Sequence, residues 1–300
     1  MKQAKISLLL GLIGALFGCN SQAGEATPPF RIAATAALTY EGFAEPVRAL
    51  HDAGRDRYLV SNVSGETTAA DNDGFISLLS PDGSVIDLKW IAGGKGDVTL
   101  NAPKGLALGA DVLYVADIDT VRRFDAETGA PLGEVVIPGA TFLNGLSATA
   151  GGQVYVTDSG PPRGTLDARG TEAIYVVENA SYRAITPGPL GRPTSVVATD
   201  DGAIVASFGA PEIRELDARG KIRSVSRAPA GGLAGVLRIG DWVYVTSWQA
   251  SAIYEGQLGR PFTLARGELA APTDLALDAT RNRLLVPSFT ENKLVVLALE

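Results

Sequence analysis

Lys104 and Asn144 each stand immediately before a Gly-Leu pair, while Asp117 and Asp158 each end an apolar run of the form Tyr-Val-x-Asp. Counting the same distances along the chain brings further residues into register. Val47, Thr194, Ala234 and Thr273 fall in the column of Lys104 and Asn144, with Arg48, Ser195 and Asp274 one step on. Asn62, Phe208, Trp248 and Phe289 fall with Asp117 and Asp158. Two kinds of chemistry are open to such a set. Carboxylate and amide oxygens suit a hard divalent cation such as calcium, and Asn144, Asn101, Asp274 and Asp117 are the candidate metal ligands. Lys104, Arg48, Thr194, Asp158 and Trp248 are the side chains with which a small molecule or protein partner would be held.

Each candidate has a structural reading beside the functional one. A carboxylate at a strand end, as at Asp117 or Asp158, often accepts amide bonds in the adjoining turn. Trp248 and Phe289 suit packing between neighbouring units as well as a ligand platform. No catalytic residue is identifiable. His51 is the only histidine, so no zinc site built on several histidines is possible, and no serine is tied to it by a triad motif. Asp71-Asn72-Asp73-Gly74 has the start of a calcium loop without its later Glu, which leaves a tight polar turn.

The columns exist because the chain repeats. Short stretches alternating with period two are punctuated by turn signals such as Pro81-Asp82-Gly83 and Asp201-Gly202, and no segment sustains a helical period. One unit recurs six times: an opening turn, a strand such as Gly105-Leu106-Ala107-Leu108, a turn, a strand such as Leu113-Tyr114-Val115, and in most units a third strand such as Val121–Asp125. A repeat of about 40 to 50 residues built from short strands is the signature of propeller blades. The first unit is lengthened by an insertion around residues 66–74. The sixth runs out after its third strand, whereas Phe30 to Thr39 precede the first unit as an unassigned strand. The reading is an all-β, six-bladed β-propeller over residues 30–300, closed by an N-terminal strand that completes the last blade.

Pro103-Lys104-Gly105-Leu106-Ala107, Leu113-Tyr114-Val115-Ala116-Asp117 and Phe142-Leu143-Asn144-Gly145-Leu146 resemble the repeats of the gluconolactonase and regucalcin-like (senescence marker protein-like) propellers, and more broadly NHL-like repeats. The resemblance implies a divalent metal at the channel mouth, held by Glu, Asn and Asp, which polarises a lactone carbonyl and helps activate water. Position by position, that ligand set is degraded here. The family's first-blade Glu falls on Val47, with Glu45 two residues earlier; its second-blade ligand column holds Lys104; its fourth-blade Asp falls on Thr194; only Asn144 matches.

The chain opens with Lys2 and Lys5, an apolar run from Ile6 to Leu16, and Leu16-Phe17-Gly18-Cys19. This is the pattern of a signal peptide over residues 1–18, ending in a sequence that resembles the bacterial lipobox. Cys19 is the only cysteine and the expected lipidation site; residues 19–29 are then a lipidated, flexible tether to the bilayer. Asn20 after the cysteine points to the outer membrane of a Gram-negative cell, facing the periplasm. The formal net charge is −7, and removal of Lys2 and Lys5 makes the remainder more acidic still, which excludes nucleic acid as a partner.

Two functions compete at this stage. One is a membrane-anchored propeller that binds a small ligand or partner protein at its channel mouth. The other is a calcium-dependent lactone or ester hydrolase. The lost ligands and the tether favour the first.

Overall fold

A computed structural model describes residues 27–160, 172–187 and 189–300. The expected signal peptide over residues 1–18 and Cys19 lie outside the described residues. Among those described there is no helix, and the strands form six four-stranded antiparallel sheets. The blades start at the inner strands Pro46–Asp52, Pro103–Gly109, Leu143–Ala148, Pro193–Thr199, Leu233–Ile239 and Ala276–Asp278; the first five sheets run outward in chain order, and the sixth does so up to its third strand.

The closure read from the sequence is present. Ile32–Glu41 is the outer strand of blade 6, antiparallel to Lys293–Leu299, with Glu41 opposite Lys293 and Ile32 opposite Leu299. It begins and ends two residues later than Phe30 to Thr39. Arg31 and Glu300 exchange backbone hydrogen bonds of 2.8 and 2.9 Å beyond the ladder. The seam is also tied to blade 1: the Tyr40 hydroxyl donates to the Ser80 carbonyl, and Tyr58 donates to Asp278, both at 2.6 Å.

The ring has no single core. Its apolar side chains form wedges between neighbouring blades, such as Leu106, Leu113 and Val115 of blade 2 against Leu59, Ile76 and Ile91 of blade 1. A second wedge sets Tyr40, Leu285 and Val296 of blade 6 against Tyr58 and Val60. A blade therefore buries both faces, which is why second strands such as Arg57–Asn62 and Gly202–Ser207 are buried along their whole length. Outer strands such as Pro131–Val136 lie at the perimeter and are largely exposed.

Around the axis the inner strands approach closely. A Cβ on Gly105 would stand 2.2 Å from the Asn144 carbonyl oxygen, one on Gly145 2.7 Å from Ser195 Cα, and one on Gly235 2.6 Å from Asp274 Cα. These three positions require glycine because a neighbouring blade's backbone fills the space of a side chain.

Candidate functional site

Each of the first five inner strands breaks its pairing just after it starts, between Pro46 and Ala49, Pro103 and Leu106, Leu143 and Leu146, Pro193 and Ser195, and Leu233 and Val236. The break frees backbone N–H groups, which must find other acceptors. Hydroxyls on the second strands supply them: Arg48 N donates to Ser61 Oγ at 3.0 Å, Gly145 N to Thr157 Oγ1 at 2.8 Å, and Gly235 N to Thr246 Oγ1 at 2.7 Å. Ser61 and Thr157 in turn donate to the Lys104 and Thr194 carbonyls of the next blade, at 2.6 and 3.2 Å. In blade 6 Thr273 precedes the regular strand, and its N–H donates to the Pro287 carbonyl at 3.1 Å.

The residues at these breaks line the channel mouth. Val47, Lys104, Asn144, Thr194, Ala234 and Thr273, the column read from the sequence, all border one opening of about 720 Å³, counting the space open to solvent. Above them stand Phe208, Trp248 and Phe289, with the Trp248 and Phe289 ring centroids 5.1 Å apart. Val63, Thr67, Phe142, Ser159 and Arg192 complete the lining, and the sequence reading named none of them as site residues.

The second column needs a correction of register. Asn62, Asp117 and Asp158 pair with the first residue of their inner strands, as Ser207 and Ser247 do in blades 4 and 5, and Ser288 pairs with Pro272 ahead of the inner strand of blade 6. Phe208, Trp248 and Phe289 stand one residue further on, level with Val63 and Ser159. A signal for this was present: Val60, Val115, Val156, Val205, Val245 and Val286 form one column, and counting two residues from it reaches the polar set, three the mouth.

The polar set holds loops. Asp117 accepts from Ala102 N at 2.8 Å, from Asn101 N and from Arg122 Nε at 3.0 Å. Asp158 accepts from Phe142 N and Gly160 N, both at 3.0 Å, and from Thr141 N at 3.2 Å; burial nevertheless pushes its carboxyl above the usual range. Asn62 accepts from Ala44 N, while Ser207, Ser247 and Ser288 donate to the Leu190, Gly231 and Ala270 carbonyls. All six thus bind the loop that precedes their own inner strand. Asn101 accepts from Asn72 N at 3.1 Å, and Asn72 Oδ1 accepts from Leu100 N at 2.8 Å, so the residue 71–74 turn is locked to this loop.

Arg48 and Asp274 form a hydrogen-bonded ion pair across the seam between blades 1 and 6. Burial drives the Asp274 carboxyl upward and Arg48 opposes it. Thr194 Oγ1 is 2.7 Å from the Leu233 carbonyl, bridging blades 4 and 5. Asn144 donates to Ser159 Oγ at 3.2 Å, and Ser159 donates to the Pro193 carbonyl at 2.6 Å.

The residues present do not fit the divalent cation that the resemblance implies. No group of three or more His, Cys, Asp or Glu side chains suited to a metal occurs among the described residues. No carboxylate appears among the described lining residues, and of the four candidate ligands only Asn144 lies in the lining. An ammonium occupies the same ring.

That ammonium is the most unusual group of the site. Lys104 is 2% exposed. Its Nζ donates to the Ala102 carbonyl at 2.9 Å and lies 4.4 Å from the centre of the Phe142 ring. Burial pulls its pKa down to about 8, with the nearby Asp117 charge opposing the shift. Arg192 adds a second cationic side chain to the lining.

Similarity to solved structures matches this architecture. A gluconolactonase from Xanthomonas campestris superposes with a TM-score of 0.65 at 17% identity, covering 91% of this chain and 95% of that one. The chain has the gluconolactonase-like propeller fold. A streptogramin B lyase gives 0.62 at 11% identity, with 90% and 98% covered. The virginiamycin B lyase of Staphylococcus aureus, in complex with quinupristin, gives 0.59 at 14%, with 90% and 100% covered. No family profile and no curated protein sequence matches the chain. The lyase in the quinupristin complex is a catalytically inactive variant with one histidine replaced by alanine. In this chain the single histidine, His51, lies away from the mouth, 3.5 Å from Asp278 and edge-on to Tyr58.

Proposed function

We propose that this propeller is a binding protein that takes a small organic anion, apolar or aromatic in its body, into the mouth of its axial channel. The observation that carries the reading is Lys104: a buried ammonium in an aromatic-walled opening whose described lining contains no carboxylate. An isolated buried charge is costly, and a bound carboxylate would supply the missing counter-charge. Phe142, Phe208, Trp248 and Phe289 supply flat apolar surface for the rest of the ligand. Membrane anchorage through Cys19, on the periplasmic side of an outer membrane, belongs to the same proposal and is supported by the sequence of residues 1–29.

Calorimetric titration with benzoate tests the binding. Lys104→Met keeps the volume and removes the charge; loss of a charge-assisted bond of about 1.5–3 kcal/mol lowers affinity by roughly ten- to a hundredfold. Equal affinity of wild type and variant, or no binding of benzoate at millimolar concentration, overturns the reading. Lactone hydrolysis of the gluconolactonase type is the second reading, favoured by the shared fold and by Asn144 at the mouth. It requires a donor set that the described lining lacks.

A further inference from the structure

We propose that Lys104 is also a nucleophile, and that the mouth captures small aldehydes or ketones as an imine on its Nζ. The inference rests on the reading above that the mouth admits a small organic ligand. Lys104 differs in kind from Lys89, Lys95 and Lys221, which are exposed, and from Lys293, whose ammonium lies 3.4 Å from Glu41. Its Nζ touches one carbonyl and one ring face, and Asp117, the acid whose charge acts on it, is already occupied by two backbone amides and Arg122. A hydrated or ion-paired lysine keeps its proton; one deprived of both gives it up more readily and exposes a lone pair. Burial that brings this group to about 8 leaves roughly a tenth of it neutral at about pH 7, against well under a thousandth for a lysine at its ordinary value.

The step balances without any further reagent. The Nζ lone pair attacks the carbonyl carbon, the C–N bond forms, and the carbonyl π pair moves to oxygen, which takes up a proton. The carbinolamine then loses that oxygen as water, whose two hydrogens are those given up by the amine, and C=N remains. Phe142, Phe208, Trp248 and Phe289 in the lining offer apolar surface to the rest of the carbonyl compound.

The experiment treats the full chain with benzaldehyde, reduces with cyanoborohydride and maps adducts by peptide mass spectrometry. The expected result is one dominant adduct, on Lys104, with a yield that rises through about pH 8, is suppressed by excess benzoate and is absent from Lys104→Met. Labelling of Lys104 no greater than that of Lys89, Lys95 and Lys221 in wild-type protein overturns the inference, whether or not the variant folds. Benzoate binding without the adduct removes the imine and leaves the anion site standing. The adduct without benzoate binding removes the anion site and leaves the nucleophile. Absence of both removes both.

Discussion

Lys104 has been taken out of water and given one carbonyl, one aromatic face and the field of the Asp117 carboxylate in exchange. This has a consequence for stability that does not depend on any ligand. The unfolded chain keeps this proton up to its ordinary 10.5, and the folded chain only up to about 8. Below about 8 both states are charged and the full cost of burying the ammonium is present. Between the two values the unfolded state binds more protons, so stability rises with pH. At about 1.4 kcal/mol for each pH unit, the relief amounts to about 3 kcal/mol. Tyr58 and Tyr244, whose pKa values burial raises, act in the opposite sense at higher pH, so the comparison with Lys104→Met isolates the lysine. Urea denaturation of both proteins at about pH 7 and about pH 10 is expected to show the variant's advantage shrinking by this amount. Parallel profiles would show that the lysine is solvated.

Strands owe their stability here to what closes over them. Lys293–Leu299 would be a free edge, and the wedge between blades 6 and 1 would lose Leu38 and Tyr40, if the strand Ile32–Glu41 were not in place. Deleting residues 30–41 is therefore expected to abolish the cooperative thermal transition, whereas deleting residues 20–28 leaves the melting temperature unchanged, because only the first contributes ladder and core. Differential scanning calorimetry of both truncations decides it, and equal melting temperatures would mean that the ring holds without its closing strand. The inner strands show the complementary device. Their paired edge is deliberately broken at the mouth, and hydroxyls from Ser61, Thr157 and Thr246 take up the freed amides, so that side chains at the break can face the axis.

As a whole the molecule is acidic, with a net charge of −7, yet the described lining of its mouth carries Lys104 and Arg192 and no acid. The general field repels anions, so selection for one must come from contact inside the opening, with little help from long-range steering. Anchorage would set where that selection takes place. Cys19→Ser is expected to move the protein from the membrane pellet to the soluble fraction and to abolish incorporation of labelled fatty acid. A wild-type protein that is already soluble and unlabelled would remove the anchor from the proposal.

The number of blades, the period-two strands and the strand that closes the ring were legible in the sequence, because turn residues and alternation are local signals and a sixfold repeat averages over their noise. The inner column, Val47 to Thr273, was legible for the same reason. Its partner column was not, because in blades 1 to 3 the conspicuous polar residues Asn62, Asp117 and Asp158 stand one position before the mouth. Alternation in a strand turns a one-residue offset into the opposite direction. Whether a carboxylate faces a ligand or a backbone amide is settled by loops that approach from elsewhere in the fold. Tertiary structure alone gave Asp117 to Asn101 and Ala102, paired Arg48 with Asp274 across more than two hundred residues of chain, and left Lys104 without an ion-pair partner among the described residues. The sequence could name these charged groups, but only packing decided which of them water, backbone or a ligand would have to satisfy.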